Sequence, residues 1–336
     1  MDFSAMTATV TGLIDAALDR SIVLGYTKLG SQVRSRWWPA DPEPGSMAGK
    51  RVLVTGATSG IGEAMVRSFA DLGATVHLLG RDERKVRHSA DGVRAAVPGA
   101  VVIEEICDVS DLAAIRDWTD GLSDRITVLH GLIHNAGSMP KERAETPQGH
   151  EVQLAAHVLG PHLITERLLP LLRAAGGSSV VFMSSGGMYS SALESDDLEY
   201  RVGSYNGVRA YARTKKMQVV LADAWARRLA GADIRVESMH PGWVETPGVA
   251  EYLPTFRKIT RPLLRDTADG ADTAVWLVAT RPDSKPGHFW HDRAQRPTTF
   301  GWQRAEDPAE VARFLEQVTA MTGTPDEWAG VDSAPD

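Results

Sequence analysis

Tyr211 and Lys215 stand four positions apart in Tyr211-Ala212-Arg213-Thr214-Lys215, one turn of a helix, so phenol and ammonium leave the same face. A phenol with a reference pKa of about 10 is a poor proton donor or acceptor at neutral pH, and a fixed cation beside it would bring that value toward the working range. Such a pair is an acid/base device. Ser185 lies upstream in Ser184-Ser185-Gly186-Gly187-Met188 and offers a hydroxyl able to polarise a carbonyl, with Ser184 its substitute if the register is off by one. Each residue has an ordinary alternative: turn-forming serines, a core aromatic, a solvated lysine.

The elements that must position them begin with Arg51-Val52-Leu53-Val54-Thr55, an apolar run that reads as a buried parallel strand, followed by Gly56-Ala57-Thr58-Ser59-Gly60-Ile61-Gly62. Glycines there permit a tight turn that brings backbone close to a pyrophosphate. The helix expected over 60–72, with Ile61, Met65, Phe69 and Leu72 on one face, would aim its N-terminal amides at the phosphates. Further strands are expected at about 74–79, 101–106, 128–133, 178–183, 233–239 and 286–291. Helices are expected at about 82–96, 110–121, 149–173, 205–230 and 268–280, with Gly160-Pro161 kinking the fourth helix or starting a second segment. The alternation predicts one α/β domain: a doubly wound (Rossmann), mostly parallel seven-stranded sheet with helices on both faces.

Together, the turn over 55–62, Ser185 and the Tyr211/Lys215 pair resemble the short-chain dehydrogenase/reductase superfamily, whose cofactor turn reads T-G-x-x-x-G-x-G and whose active site carries Ser and Y-x-x-x-K. The resemblance spans roughly residues 49–295. It implies an NAD(P)-dependent oxidoreductase with Gly56, Thr58, Ser59, Gly60, Ile61 and Gly62 at the cofactor turn. Asp108 and Val109 would stand beside the adenine, with helix capping the alternative for Asp108. Asn135, Ala136 and Gly137 would line the cofactor, and Pro241, Gly242, Val244 and Thr246 would hold the nicotinamide carboxamide. Lys215 would reach the nicotinamide ribose and lower the Tyr211 pKa. Two departures stand out. His134 replaces the more usual Asn, and His157 occupies the place of an active-site Asn held to bind a relay water. An imidazole can donate, accept and titrate near neutral pH; a helix histidine without a catalytic part is the equal alternative. Gln218-Val219-Val220-Leu221, Ser238-Met239-His240, Gly270-Ala271-Asp272-Thr273, Phe289 and, in the N-terminal extension, Tyr26-Thr27-Lys28 carry a narrower likeness to one branch of that superfamily, which implies an oxidoreductase related to the retinol-type reductases.

Cofactor choice turns on the end of the second strand, where NAD enzymes of this type place a carboxylate on the adenosine ribose. This chain has Gly80 and then Arg81, so a 2′-phosphate would meet a guanidinium and NADP(H) is favoured over NAD(H). The alternative leaves Arg81 as a surface charge and turns Asp82 in to serve NAD.

The 336-residue chain carries a net charge of −7, which attracts no nucleic acid. Its single cysteine, Cys107, fits a buried structural thiol in a reducing, cytoplasmic setting. An N-terminal helical extension over 1–47 precedes the catalytic domain over 48–296, a C-terminal helical segment over 297–323 packs on that domain, and 324–336 is expected to be a mobile tail. Arg34, Arg36, Trp37 and Trp38 form a basic and aromatic cluster; peripheral membrane contact is one reading of it, and packing as a cover over the domain the more ordinary one. An irregular lid over 247–266 is expected, and Tyr252, Leu253 and Phe256, with Met139, Met188 and Trp243, outline an apolar pocket for a small hydrophobic alcohol or carbonyl, or else complete the core. Self-association stays open, as do two other functions: a non-catalytic nucleotide-sensing protein on the same fold, and an NAD-retaining epimerase or dehydratase.

Overall fold

The computed structural model describes residues 3–300 and 303–328. Eight strands, β1 (Arg51–Thr55), β2 (Thr75–Gly80), β3 (Val101–Ile106), β4 (Gly131–His134), β5 (Ser178–Met183), β6 (Ile234–Met239), β7 (His288–His291) and β8 (Ala294–Pro297), form one sheet in the order β3-β2-β1-β4-β5-β6-β7-β8. Successive side chains of a strand point to opposite faces, and that alternation builds two cores. Leu53, Leu132, Val180, Phe182 and Val236 face one layer, where they meet the helices Leu112–Ser123, Gly160–Ala174, Gly207–Arg228 and Pro308–Thr322. Val52, Val54, Val76, Leu78, Ile133 and Val181 face the other and meet Gly60–Asp71, Glu83–Ala96 and Thr267–Thr280. The doubly wound sheet is therefore present.

It has one strand more than the seven expected. β8 pairs antiparallel with β7, and the two are joined by Asp292 and Arg293, both left-handed at φ 52° and 53°. A two-residue hairpin demands that geometry, but its usual sequence signal is Asn-Gly or Asp-Gly. Here ion pairs hold the turn instead, Asp292 to Arg34 at 3.0 Å and to Arg265, and Arg293 to Asp272.

The helix expected over 149–173 divides into Val152–Leu154, a π turn Ala155–Leu159 and Gly160–Ala174. Pro161 has no N–H for the carbonyl of residue 157, and the wider turn absorbs that mismatch. The lid is not irregular as expected: Pro247–Tyr252 and Pro254–Thr260 are short helices, each with Pro at its start, followed by a 3-10 turn Arg261–Leu263.

Helices Phe3–Arg20, Ile22–Tyr26 and Lys28–Arg34 cover the β7–β8 end of the sheet. Arg34 turns inward, bonding Asp15 at 2.8 Å as well as Asp292, while Arg296 of β8 also grips Asp15. Trp38 lies 5.0 Å from the Arg293 guanidinium. The segment packs as a cover over the domain, and Arg34 of the basic and aromatic cluster is drawn into the interior. No helix among the described residues is long and apolar enough to cross a membrane.

At the other end, Phe314, Leu315 and Val318 bury the last helix, Pro308–Thr322, against the sheet layer. The tail expected to be mobile begins at residue 324, and its described part runs to 328. Thr324 bonds His162 at 2.8 Å, and Trp328 packs on Trp225 while donating to Thr319. Residues 329–336 lie outside the described residues.

Candidate active site

The chain runs outward from β1 through β2 to β3, then returns to place β4 on the other side of β1, which opens a crevice at the carboxyl ends of β1 and β4. Thr55 and Asn135 stitch it together: the Asn135 and Ala136 amides both donate to the Thr55 hydroxyl at 3.0 Å, and the Asn135 carboxamide donates to the Thr55 and Gly56 carbonyls. Gly56 and Gly60 are left-handed at φ 64° and 60°. A methyl group on Gly56 would lie 2.6 Å from the Ala136 Cα, so only glycine fits where the two loops touch.

Gly60–Asp71 starts without a side-chain cap, because Ser59 is extended and its hydroxyl makes no capping bond. Uncapped first-turn amides with the positive end of the helix dipole form an anion cradle, and that cradle fits a cofactor pyrophosphate. Beyond it, Gly80 leaves no room for an acid, since even a methyl would come within 2.6 Å of the Thr58 methyl. Arg81 is three-quarters exposed and stands 3.7 Å from Asp108. Asp82 does not turn in: its carboxylate caps the next helix, accepting from the Arg84 and Lys85 amides at 3.0 and 3.1 Å. Asp108 accepts from the Ser110 amide and hydroxyl, and Asp111 caps the helix that follows. Burial pushes the Cys107 thiol next to it up to about 12, an inert group.

Asn206 caps Gly207–Arg228 by accepting from the Arg209 amide, and the second and third turns of that helix present Tyr211 and Lys215 to the end of β5. One cleft of about 380 Å³ brings together Ser185, Tyr211 and Lys215 with Ile61, Asn135, Gly137, Pro241, Gly242, Val244 and Thr246. Met139, Trp243, Tyr252, Leu253 and Phe256 supply its apolar wall. Met188 does not take part; it is fully buried against Val219 and Phe289.

Ser185 and Tyr211 line the same cleft, and the Ser185 hydroxyl accepts from the Gly187 amide at 3.2 Å. Ser184 is no substitute, because its hydroxyl is buried and donates to the Lys215 carbonyl at 2.8 Å. Loss of water raises the Tyr211 pKa, and the nearby Ser185 acts the other way. Lys215 Nζ lies 5.3 Å from the Tyr211 ring centre and donates to the Met183 carbonyl at 2.8 Å and to Gln218 Oε1 at 2.9 Å. Burial pulls its pKa down to about 7.

His157 has both ring nitrogens engaged. Its Nε2 accepts from the Ser138 amide at 3.2 Å, which leaves Nδ1 protonated to donate to Thr214 Oγ1 at 2.8 Å. Desolvation and the nearby Lys215 hold it neutral, its ring meets Tyr211 edge-on at 5.5 Å, and Gly137 is the residue that leaves room for it. Neither nitrogen is left for a relay water. His134, neutral for the same reason of burial, bonds Thr165 at 2.8 Å.

Residues 56–279 match the family described as enoyl-(acyl carrier protein) reductase. Dehydrogenase/reductase SDR family member 12 of Bos taurus is 35% identical over 298 residues, covering 87% of this chain and 92% of that protein. The chain belongs to the short-chain dehydrogenase/reductase superfamily. Retinol dehydrogenase 14 of Mus musculus is 30% identical over 82% of the chain and 86% of its own length. A solved short chain dehydrogenase from Shigella flexneri 2a str. 301 complexed with NADP superposes with a TM-score of 0.58 at 26% identity, covering 70% of this chain and 93% of that one. Membership makes the chain a dehydrogenase/reductase enzyme on a nicotinamide-binding fold. Three contacts at this superfamily site were not assigned from the sequence: the Met183 carbonyl, the Thr214 hydroxyl under His157, and Gln218. Gln218 lies one turn beyond Lys215, so helical spacing alone could have paired them.

Proposed function

We propose that the enzyme is an NADP(H)-dependent oxidoreductase for a hydrophobic alcohol or carbonyl, retinoid- or steroid-like in character. The convergence of Ser185, Tyr211 and Lys215 in one cleft with the cofactor-turn residue Ile61 and with Asn135 and Thr246 carries the reading. Gly56, Thr58, Ser59, Gly60, Ile61 and Gly62 would hold the pyrophosphate, Asp108 and Val109 the adenine, and Asn135, Ala136 and Gly137 the ring face. Pro241, Gly242, Val244 and Thr246 would hold the carboxamide. Arg81 supports NADP(H), with Asp82 committed to its cap. A bound nicotinamide supplies or takes up hydride at the substrate carbon.

The chain's own residues manage the oxygen. Ser185 donates a hydrogen bond to it, and Tyr211, kept protonated at neutral pH by its raised pKa, hands it a proton in the reducing direction. Lys215 would reach the nicotinamide ribose, and the Met183 carbonyl and Gln218 aim its Nζ. His157 acts by holding Thr214 and the Tyr211 ring in place. The apolar wall built by Met139, Trp243, Leu253 and Phe256 excludes water and supports a hydrophobic substrate, as does the likeness to a retinol dehydrogenase. A cytoplasmic setting agrees with the one buried thiol.

The deciding experiment screens lipid-like aldehydes and alcohols with NADPH and NADH, then compares Tyr211→Phe. Turnover is expected to fall about 10²–10⁴-fold in that variant while NADPH binding survives. Near-parental turnover would remove Tyr211 from its role. NADPH oxidation stoichiometric with substrate separates the reductase from a cofactor-retaining epimerase.

A further inference from the structure

The N-terminal extension reaches the active site at one residue. Tyr26 is 2% exposed and touches three separate parts of the catalytic domain. Its carbonyl accepts from the Trp243 amide at 2.7 Å and from Arg265 Nε at 3.1 Å. Its ring lies edge-on to His240, with centres 4.3 Å apart, and to Trp243 at 6.3 Å. His240 in turn accepts from the Gly242 amide at 3.1 Å, so the ring backs the turn that follows β6. On another side the ring edge fills the space where a Gly186 side chain would sit: a methyl there would run into Tyr26 Cε2. Gly186 is the residue after Ser185.

These contacts join two loops beyond the last sheet bond between them, the Ser184 amide to the Met239 carbonyl at 2.7 Å: the loop carrying Ser185 after β5 and the loop carrying Pro241, Gly242 and Trp243 after β6. Both line the cleft. The segment that delivers the ring is itself anchored, since the Gly25 carbonyl accepts from Arg34 Nη1 at 3.2 Å and Arg265 Nη2 at 2.9 Å, and both arginines pair with Asp292.

We propose that Tyr26 is a positioning residue: its ring and carbonyl fix the Ser185 turn against the Pro241–Trp243 loop and so set the distance between the substrate's hydrogen-bond donor and the nicotinamide pocket. The proposal rests on the oxidoreductase reading of that cleft. Its physical content is registration, because a displacement of about 1 Å between reacting groups lowers turnover about 10²-fold without removing any group that reacts. The hydroxyl has no part in it; the ring and the backbone carbonyl do.

The test uses the full chain with Tyr26→Phe, Tyr26→Leu and Gly186→Ala. NADPH affinity and the fluorescence enhancement of its nicotinamide on binding are measured beside kcat, KM and melting temperature, with kcat counted per bound cofactor. Tyr26→Phe is expected to stay within about twofold of the parent in every readout. Tyr26→Leu is expected to keep its NADPH dissociation constant within about threefold while kcat falls about tenfold or more and the nicotinamide enhancement shrinks. Gly186→Ala, which crowds the same contact from the opposite loop, is expected to reproduce that split and serves if Tyr26→Leu does not fold. A folded Tyr26→Leu with parental kcat and enhancement overturns the positioning role and leaves the oxidoreductase reading intact. A loss of kcat that disappears when counted per bound cofactor overturns it equally. A parent that turns over no carbonyl or alcohol at all brings down the underlying reading instead, and the positioning role with it.

Discussion

Lys215 Nζ donates at 2.9 Å to the side-chain oxygen of Gln218, one helical turn further on. Burial draws the lysine down to about 7, and each acceptor beside it favours the charged form. Gln218→Leu removes one of the two acceptors that Nζ reaches. The limb of the kcat/KM profile that reports Lys215 is expected to move to lower pH by about one pH unit, since a hydrogen bond to a charged group contributes about 1.5–3 kcal/mol. A pH profile with that limb unmoved would show that Gln218 only fills space.

The same burial makes Lys215 a stability liability. Its folded pKa of about 7 lies below the ordinary 10.5, so between those values the unfolded chain binds more protons and stability rises with pH. Below pH 7 the full cost of the buried ammonium is present. Lys215→Met is therefore expected to abolish turnover yet stabilise the fold at pH 6.5 by on the order of 2 kcal/mol, with the advantage shrinking toward pH 10. Thermal melts of parent and variant at pH 6.5 and 9.5 check it; a variant less stable than the parent at both pH values contradicts it.

Arg81 stands mostly in solvent at the end of β2, 3.7 Å from Asp108, where only a ligand's phosphate would engage it strongly. Arg81→Ala is expected to raise the KM for NADPH about tenfold, a change of about 1.4 kcal/mol, and to leave the NADH value within about twofold. Equal effects on the two cofactors would show that Arg81 does not read the 2′-phosphate.

The central sheet and the proposed catalytic trio were legible because their signals are local. Apolar runs separated by glycine turns mark β1, β2, β4, β5 and β6, and the one-turn spacing of Tyr211 and Lys215 needs only the helix. What escaped depends on contacts between distant segments. β8 contains Arg296 and ends in Pro297, so composition argues against a strand; an edge position tolerates the proline, and Asp15 holds the arginine. The lid helices are too short to show a period. His157 read equally as a relay or as a structural group, and only the Ser138 amide and Thr214 hydroxyl on its two nitrogens separate those roles.

The ionic latch between the ends of the chain also dictates when the enzyme can be finished. Arg34 and Asp292 are 258 positions apart, and Asp15 and Arg296 are 281 apart. At a synthesis rate of about 5–20 residues per second, the first of these pairs waits roughly 10–50 seconds for its second member. The earliest helices thus cannot complete their docking until β7 and β8 have been made, and the cleft acquires its rear support only after translation has passed those strands.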